Sequence, residues 1–160
     1  EWCQPNFNDK YLFEMLILES FQAGLSWECV LNKREDFRKA YDNFDIDQIC
    51  KYDNKKIQEL LSNEKIIRNK LKINASINNA RIFKNIQKEY GTFNDYLIKF
   101  TEGKTFYETD KITSELSDKI SKDLKKKGMR FVGSTIIYSY LQAIGVIYSH
   151  DKECFMYKEI

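Results

Sequence analysis

The chain has 160 residues, 42% of them hydrophobic and 14% aromatic, which suits one compact domain with a substantial core and leaves too little for two packed domains. Its 26 Lys and Arg nearly cancel 24 Asp and Glu, so a net charge of +2 says little about partners and the distribution along the chain must carry that argument. No run approaches the roughly 18 apolar residues of a membrane helix and the N-terminus lacks a signal-peptide pattern, so the expectation is a cytoplasmic protein with no membrane partner.

Helical periodicity runs through almost the whole chain. Leu12, Phe13, Met15, Leu16 and Ile17 fill a broad apolar face after Asp9 as N-cap, and the pattern runs to about Gln22 and ends at Gly24. Ser26 caps a second helix with Val30, Leu31, Phe37 and Tyr41 inward, and Lys33, Arg34, Glu35, Asp36 and Arg38 form its solvated face. Asp45 and Asp53 cap two short helices carrying Ile46, Ile49, Ile57, Leu60 and Leu61. Residues from Ile66 to Tyr90 repeat Ile67, Leu71, Asn74, Ile77 and Ile66, Ile73, Ala80, Phe83 at helical spacing, which reads as the central buried helix, stopped by Gly91. A helix over Thr92 to Phe100, a polar loop from Glu102 to Ile112 and a basic helix from Ser114 follow. Strands find no sustained alternation, and the class is all-α, a single domain over 1–160.

The four cysteines, Cys3, Cys29, Cys50 and Cys154, show no repeated spacing, so Cys29 and Cys50 read as buried free thiols rather than a disulfide framework. Cys154 follows the only histidine, His150, by four residues, a spacing at which two side chains on a helical turn reach one metal ion. An exposed His and a solvated Cys account for the same spacing equally well.

Two segments point to chemistry. In the first, Glu19 and Trp27 flank the Gly24 turn, and a carboxylate beside an aromatic plane suits a flat cationic base. By default Trp27 reads as core and Glu19 as a helix-end carboxylate; their joint placement argues for a site. In the second, Lys122, Lys125, Lys126, Lys127 and Arg130 face only Asp123, immediately before Gly133, Ser134, Thr135 and an apolar helix. Glycine lets the backbone approach a ligand, helix-start amides attract phosphate, and lysines add attraction to any nucleic acid. Lysine triplets are commonly just solvated surface; coupling this one to a glycine hairpin favours nucleic acid.

The set Glu14, Leu18-Glu19, Gln22 through Trp27, Val30-Leu31, Lys33-Arg34-Glu35, Ile66-Ile67-Arg68, Lys72-Ile73, Asn79-Ala80, Lys125 through Gly128, Phe131-Val132-Gly133, Tyr138-Ser139, Gln142-Ala143 and Gly145 resembles the 3-methyladenine DNA glycosylase I family across nearly the whole chain. The resemblance implies the helix-hairpin-helix glycosylase fold and monofunctional hydrolysis of the N-glycosidic bond of 3-methyladenine in double-stranded alkylated DNA, by a monomer that flips the base. It places Glu19 as base reader and electrostatic support for the chemistry, with Trp27 and, on a shorter match, Trp2 as pocket aromatics. The hairpin residues Lys125, Lys126, Lys127, Arg130, Gly133, Ser134 and Thr135 would grip phosphate. Leu25 would wedge into the stack, although it equally fits an ordinary buried leucine.

His150 and Cys154 match the family's C-terminal zinc pair, while the N-terminal segment that supplies the other ligands and a pocket tyrosine has no counterpart before Glu1. The chain thus reads as N-terminally shortened, with a structural zinc expected from the family on an incomplete ligand set. Two other functions stay open at the level of sequence, a noncatalytic helix-hairpin-helix DNA-binding protein and a partner-binding helical domain.

Overall fold

A computed structural model describes residues 5–149, and the fold is helical as the periodicity predicts. Helix α1 (Asp9–Gln22) lies at its centre, with every residue from Leu12 to Phe21 buried. The sequence pattern assigns that place to the segment ending at Tyr90. That helix, α6 (Lys70–Tyr90), begins four residues later than expected and buries one face only. Leu71 is 69% exposed and Asn74 is also exposed, so neither belongs to the core. From Leu12 to Phe21 helix α1 is buried on all sides, Glu14 and Glu19 included, while α6 keeps a polar face for solvent.

The helix expected after Ser26 is two helices, α2 (Trp27–Asn32) and α3 (Arg34–Ala40), broken at Lys33. Ser26 caps α2 as predicted, its Oγ accepting the Cys29 N–H at 3.2 Å. The break changes which residues face inward: Leu31 is 46% exposed and Arg34 is buried, the reverse of the expectation from a continuous helix. A 3₁₀ turn (Asp42–Phe44) leads to α4 (Ile46–Cys50) and α5 (Asn54–Leu61), capped by Asp45 and Asp53 as predicted. Cys29 and Cys50 are free but only half-buried.

Asp9 does not cap its own helix; Asn8 does, accepting the Lys10 N–H at 3.0 Å. Asp9 instead accepts the Phe93 and Asn94 N–H groups at 2.9 and 3.3 Å and Gln87 Nε2 at 2.8 Å. It thereby fastens the start of α1 to the first turn of α7 (Phe93–Thr101), where a carboxylate meets unpaired amides and the positive end of a helix dipole. Helices α8 (Glu115–Lys126) and α9 (Ser134–Ala143) pack on each other, and α9 packs on α1. Tyr140 hydroxyl, fully buried, donates to the Leu12 carbonyl at 2.9 Å and Tyr11 hydroxyl to the Ala143 carbonyl at 3.3 Å. The expected polar loop contains one short strand, β1 (Phe106–Tyr107), paired in parallel with β2 (Ile147–Tyr148), too short to leave an alternating pattern. Among the described residues no helix is long and apolar enough to cross a membrane.

Candidate functional site

Residues of α1, α2 and α9 line a cavity of about 260 Å³: Glu19, Gln22, Trp27, Ser139 and Gln142. Glu19 and Gln22 lie on the last turns of α1, Trp27 opens α2, and Ser139 and Gln142 lie one turn apart on α9. Glu19 is the one carboxylate among these lining residues and is 2% exposed; its Oε2 has no hydrogen-bond partner among the described residues. Burial raises its pKa from 4.5 to about 8, so it is a neutral acid at pH 7 when the cavity is empty. An unpaired carboxyl is an expensive thing to bury, and one that opens on a cavity has the character of a binding group awaiting a ligand.

The chain between the two walls is held by local and distant bonds. Gly24 takes φ +79°, and a Cβ there would touch nothing, so glycine serves the left-handed turn rather than a close approach. The Leu25 N–H donates to the Gln22 carbonyl at 2.6 Å, and Leu25 is 40% exposed. Leu25 is thus an exposed apolar tip and not a core leucine.

The basic segment turns between α8 and α9 at Gly128, Met129, Arg130, Phe131 and Val132, with Gly128 at φ +99°. Lys125, Lys126 and Arg130 are exposed, and no acid pairs with them among the described residues. Lys127 differs, being drawn to Asp123 at 3.6 Å and lying 5.8 Å from the Tyr96 ring centroid, so part of its charge is already spent. Gly133 is the N-cap of α9 and no side chain caps that end, so the first amides carry the positive pole of the helix without a side-chain acceptor. The Ser134 hydroxyl is occupied, donating to Asp118 Oδ1 and sharing a hydrogen bond with Ser117 Oγ; its amide rather than its side chain is available. Thr135 is exposed.

Trp2, His150 and Cys154 lie outside the described residues, as does Cys3. Among the described residues no group of three or more His, Cys, Asp or Glu is arranged to hold a metal ion. Three cavity-lining residues, Gln22, Ser139 and Gln142, are absent from the sequence-derived site. Their signal was present: Ser139 and Gln142 are a polar pair at i, i+3 in a largely apolar stretch of α9, and Gln22 follows Glu19 at the same spacing.

The methyladenine glycosylase family model matches residues 1–157. DNA-3-methyladenine glycosylase 1 of Escherichia coli K12 is 39% identical over 164 residues, covering 98% of this chain and 87% of that protein. A crystal structure of 3-methyladenine DNA glycosylase I superposes with a TM-score of 0.95 at 37% identity, covering 99% of this chain and 90% of that one. The Staphylococcus aureus 3-methyladenine DNA glycosylase I, whose structure describes the basis of 3-methyladenine recognition, superposes with a TM-score of 0.92 at 31% identity, covering 96% of this chain and 85% of that one.

Proposed function

Because this chain belongs to the methyladenine glycosylase family, we propose that it is a monomeric DNA glycosylase that removes 3-methyladenine from double-stranded alkylated DNA by hydrolysing the N-glycosidic bond, with Glu19 and Trp27 reading the flipped base. The observation that carries this reading is the buried Glu19 carboxyl, its Oε2 without a hydrogen-bond partner among the described residues, lining a cavity it shares with an indole. The fold reads as a helix-hairpin-helix arrangement, in which α8, the Gly128–Gly133 turn and α9 grip the backbone through uncapped amides and the unpaired Lys125, Lys126 and Arg130. Leu25 at its exposed tip enters the gap left by the extruded nucleotide.

The chemistry follows from charge. An adenine alkylated at N3 and still bonded to its sugar is a cation, and a cation entering the cavity favours the ionised form of Glu19, which releases its proton to solvent. The carboxylate then accepts from the exocyclic amino group while the Trp27 face adds a cation-π contribution. Neutral adenine brings no charge to favour ionisation, leaves Glu19 protonated, gains neither the charge pairing nor the cation-π contribution, and is discriminated against on that account. Breaking the glycosidic bond sends its electron pair into the ring and neutralises it, so the leaving group needs no strong general acid. Water adds to the sugar carbon and yields its extra proton to solvent. The segment from Gly133 to Ser149 contains no carboxylate to serve as a base for that water, which suits a reaction driven by the leaving group. The zinc implied by family resemblance, held in part by His150 and Cys154, belongs to the same proposal, and metal analysis of the purified protein reads it directly.

The test is release of free 3-methyladenine from methylated duplex DNA, followed by chromatography. Glu19→Gln is expected to lower kcat/KM by about 10- to 100-fold, the scale of one charge-assisted hydrogen bond, while duplex affinity holds. No release by the wild-type protein would leave a noncatalytic DNA-binding role, and an unimpaired Glu19→Gln variant would remove Glu19 from the site.

A further inference from the structure

Helix α6 contributes nothing to the cavity lining, yet it holds both turns that flank the site. Near its start Lys72, only 7% exposed, donates from Nζ to the Phe21 carbonyl at 2.8 Å and the Ala23 carbonyl at 2.5 Å. Those oxygens belong to the C-terminal end of α1, where carbonyls lack helical partners and the helix dipole is negative. Further along α6, Asn79 is fully buried and grips the backbone of Arg130 from both sides: its Nδ2 donates to the Arg130 carbonyl at 2.9 Å and its Oδ1 accepts the Arg130 N–H at 3.0 Å. Asn78 Nδ2 adds a bond to the Gly128 carbonyl at 2.9 Å. Lys72 and Asn79 are about two helical turns apart, roughly 10 Å, at a spacing that puts them on the same face.

We propose that α6 sets the register between the base-reading turn and the phosphate-gripping turn, with Lys72 and Asn79 as positioning residues that fix Leu25 and the mouth of the cavity relative to the α8–α9 turn. Lys72 is not the side chain that stability alone would choose. It is a buried cation with neutral carbonyl partners and no carboxylate pairing with it among the described residues. Burial pulls its pKa below the ordinary lysine value, so the charge is held against a desolvation cost that a methionine of similar length would not bear. What the ammonium supplies is direction, since it brings two carbonyls of one turn to one point. A duplex gripped by its backbone delivers a flipped nucleotide at a fixed distance from that grip, and a rigid helix is the element that makes the distance fixed. An error on the order of 1 Å there costs rate without weakening recognition of the base itself.

This inference rests on the glycosylase reading, and its test separates the two. Single-turnover excision from a methylated duplex is measured beside affinity for free 3-methyladenine, read by quenching of tryptophan fluorescence, for the wild-type protein, Lys72→Met, Lys72→Arg and Asn79→Asp. Lys72→Met and Asn79→Asp are each expected to excise at least about tenfold more slowly while free-base affinity stays within about twofold, and Lys72→Arg to recover most of the rate. Should Lys72→Met fail to fold, Lys72→Gln, which keeps a donor for one of the two carbonyls, takes its place. Undiminished excision by either variant, or a parallel fall in free-base affinity, overturns the role of α6 as a spacer. A wild-type protein that does not excise at all counts instead against the glycosylase reading.

Discussion

Helix α1 carries two buried glutamates whose surroundings are opposite. Glu14 is 7% exposed and faces α3, where Arg34 Nε donates to its Oε1 at 3.0 Å and Arg38 Nε to the same oxygen at 2.6 Å. Glu19, one and a half turns on and 2% exposed, faces the cavity with Oε2 unpartnered. Residue type, helix and depth are the same, so the partner alone separates them. A carboxylate closed off by guanidinium groups holds two helices together. A carboxyl left open toward an empty space is costly to the fold and has its partner supplied from outside, which is why burial by itself identifies no functional site.

Removing the closed glutamate should hurt most. Glu14→Ala removes the buried carboxylate that Arg34, with a side chain only 11% exposed, shares with Arg38, and the expected loss is up to about 3–5 kcal/mol of stability, seen as a fall in Tm on the order of 10 °C in thermal unfolding. An unchanged Tm would mean that the pairing is dispensable and that the two glutamates do not differ as described.

The open glutamate should show itself through pH. Its carboxyl titrates at about 8 in the fold and 4.5 when unburied. Below pH 4.5 both states hold the proton and burial carries no charge penalty. Between 4.5 and 8 the unfolded chain releases the proton that the fold retains, so stability falls as pH rises, by about 3 kcal/mol at pH 7. The cost is complete above pH 8. Glu19→Gln should flatten that decline, so its Tm relative to wild type climbs from pH 4.5 to 8 while excision slows by about 10- to 100-fold. Parallel wild-type and variant profiles across that window would show that Glu19 is compensated after all.

Much of this was legible in the chain because its causes are local. Ser26, Asp45 and Asp53 cap the helices they precede, as expected, each by a side-chain oxygen accepting a backbone N–H three residues on. Glu19, Trp27 and the Gly24 turn were recognisable for the same reason, as residues close in sequence whose chemistry converges. What stayed hidden depends on partners far along the chain. Arg34 looked solvated because its charge run is balanced locally, and only α1 reveals the carboxylate it meets. Asp9 reads as a cap for the helix it begins, whereas its acceptors serve amides on α7. Lys72 enters the sequence reading only as one position of the family resemblance, with no role attached; what gives it one is the pair of carbonyls at the end of α1.

The smallest expected effect also decides what compensates Glu14. Arg38 reaches two acids, Glu14 and the exposed Glu35 one turn earlier on α3. Its guanidinium pKa lies above the ordinary arginine value, the hydrogen bond to Glu14 being the largest cause and the charge of Glu35 the least. A solvent-facing i, i+3 pair contributes little because water screens it and both side chains lose freedom, so Glu35→Gln should change stability by less than about 0.5 kcal/mol. A loss nearer 1–2 kcal/mol would say that Glu35 holds Arg38 in place for Glu14. The closed state of Glu14 would then depend on a surface pair sensitive to salt, and the contrast with Glu19 would rest on Arg34 alone.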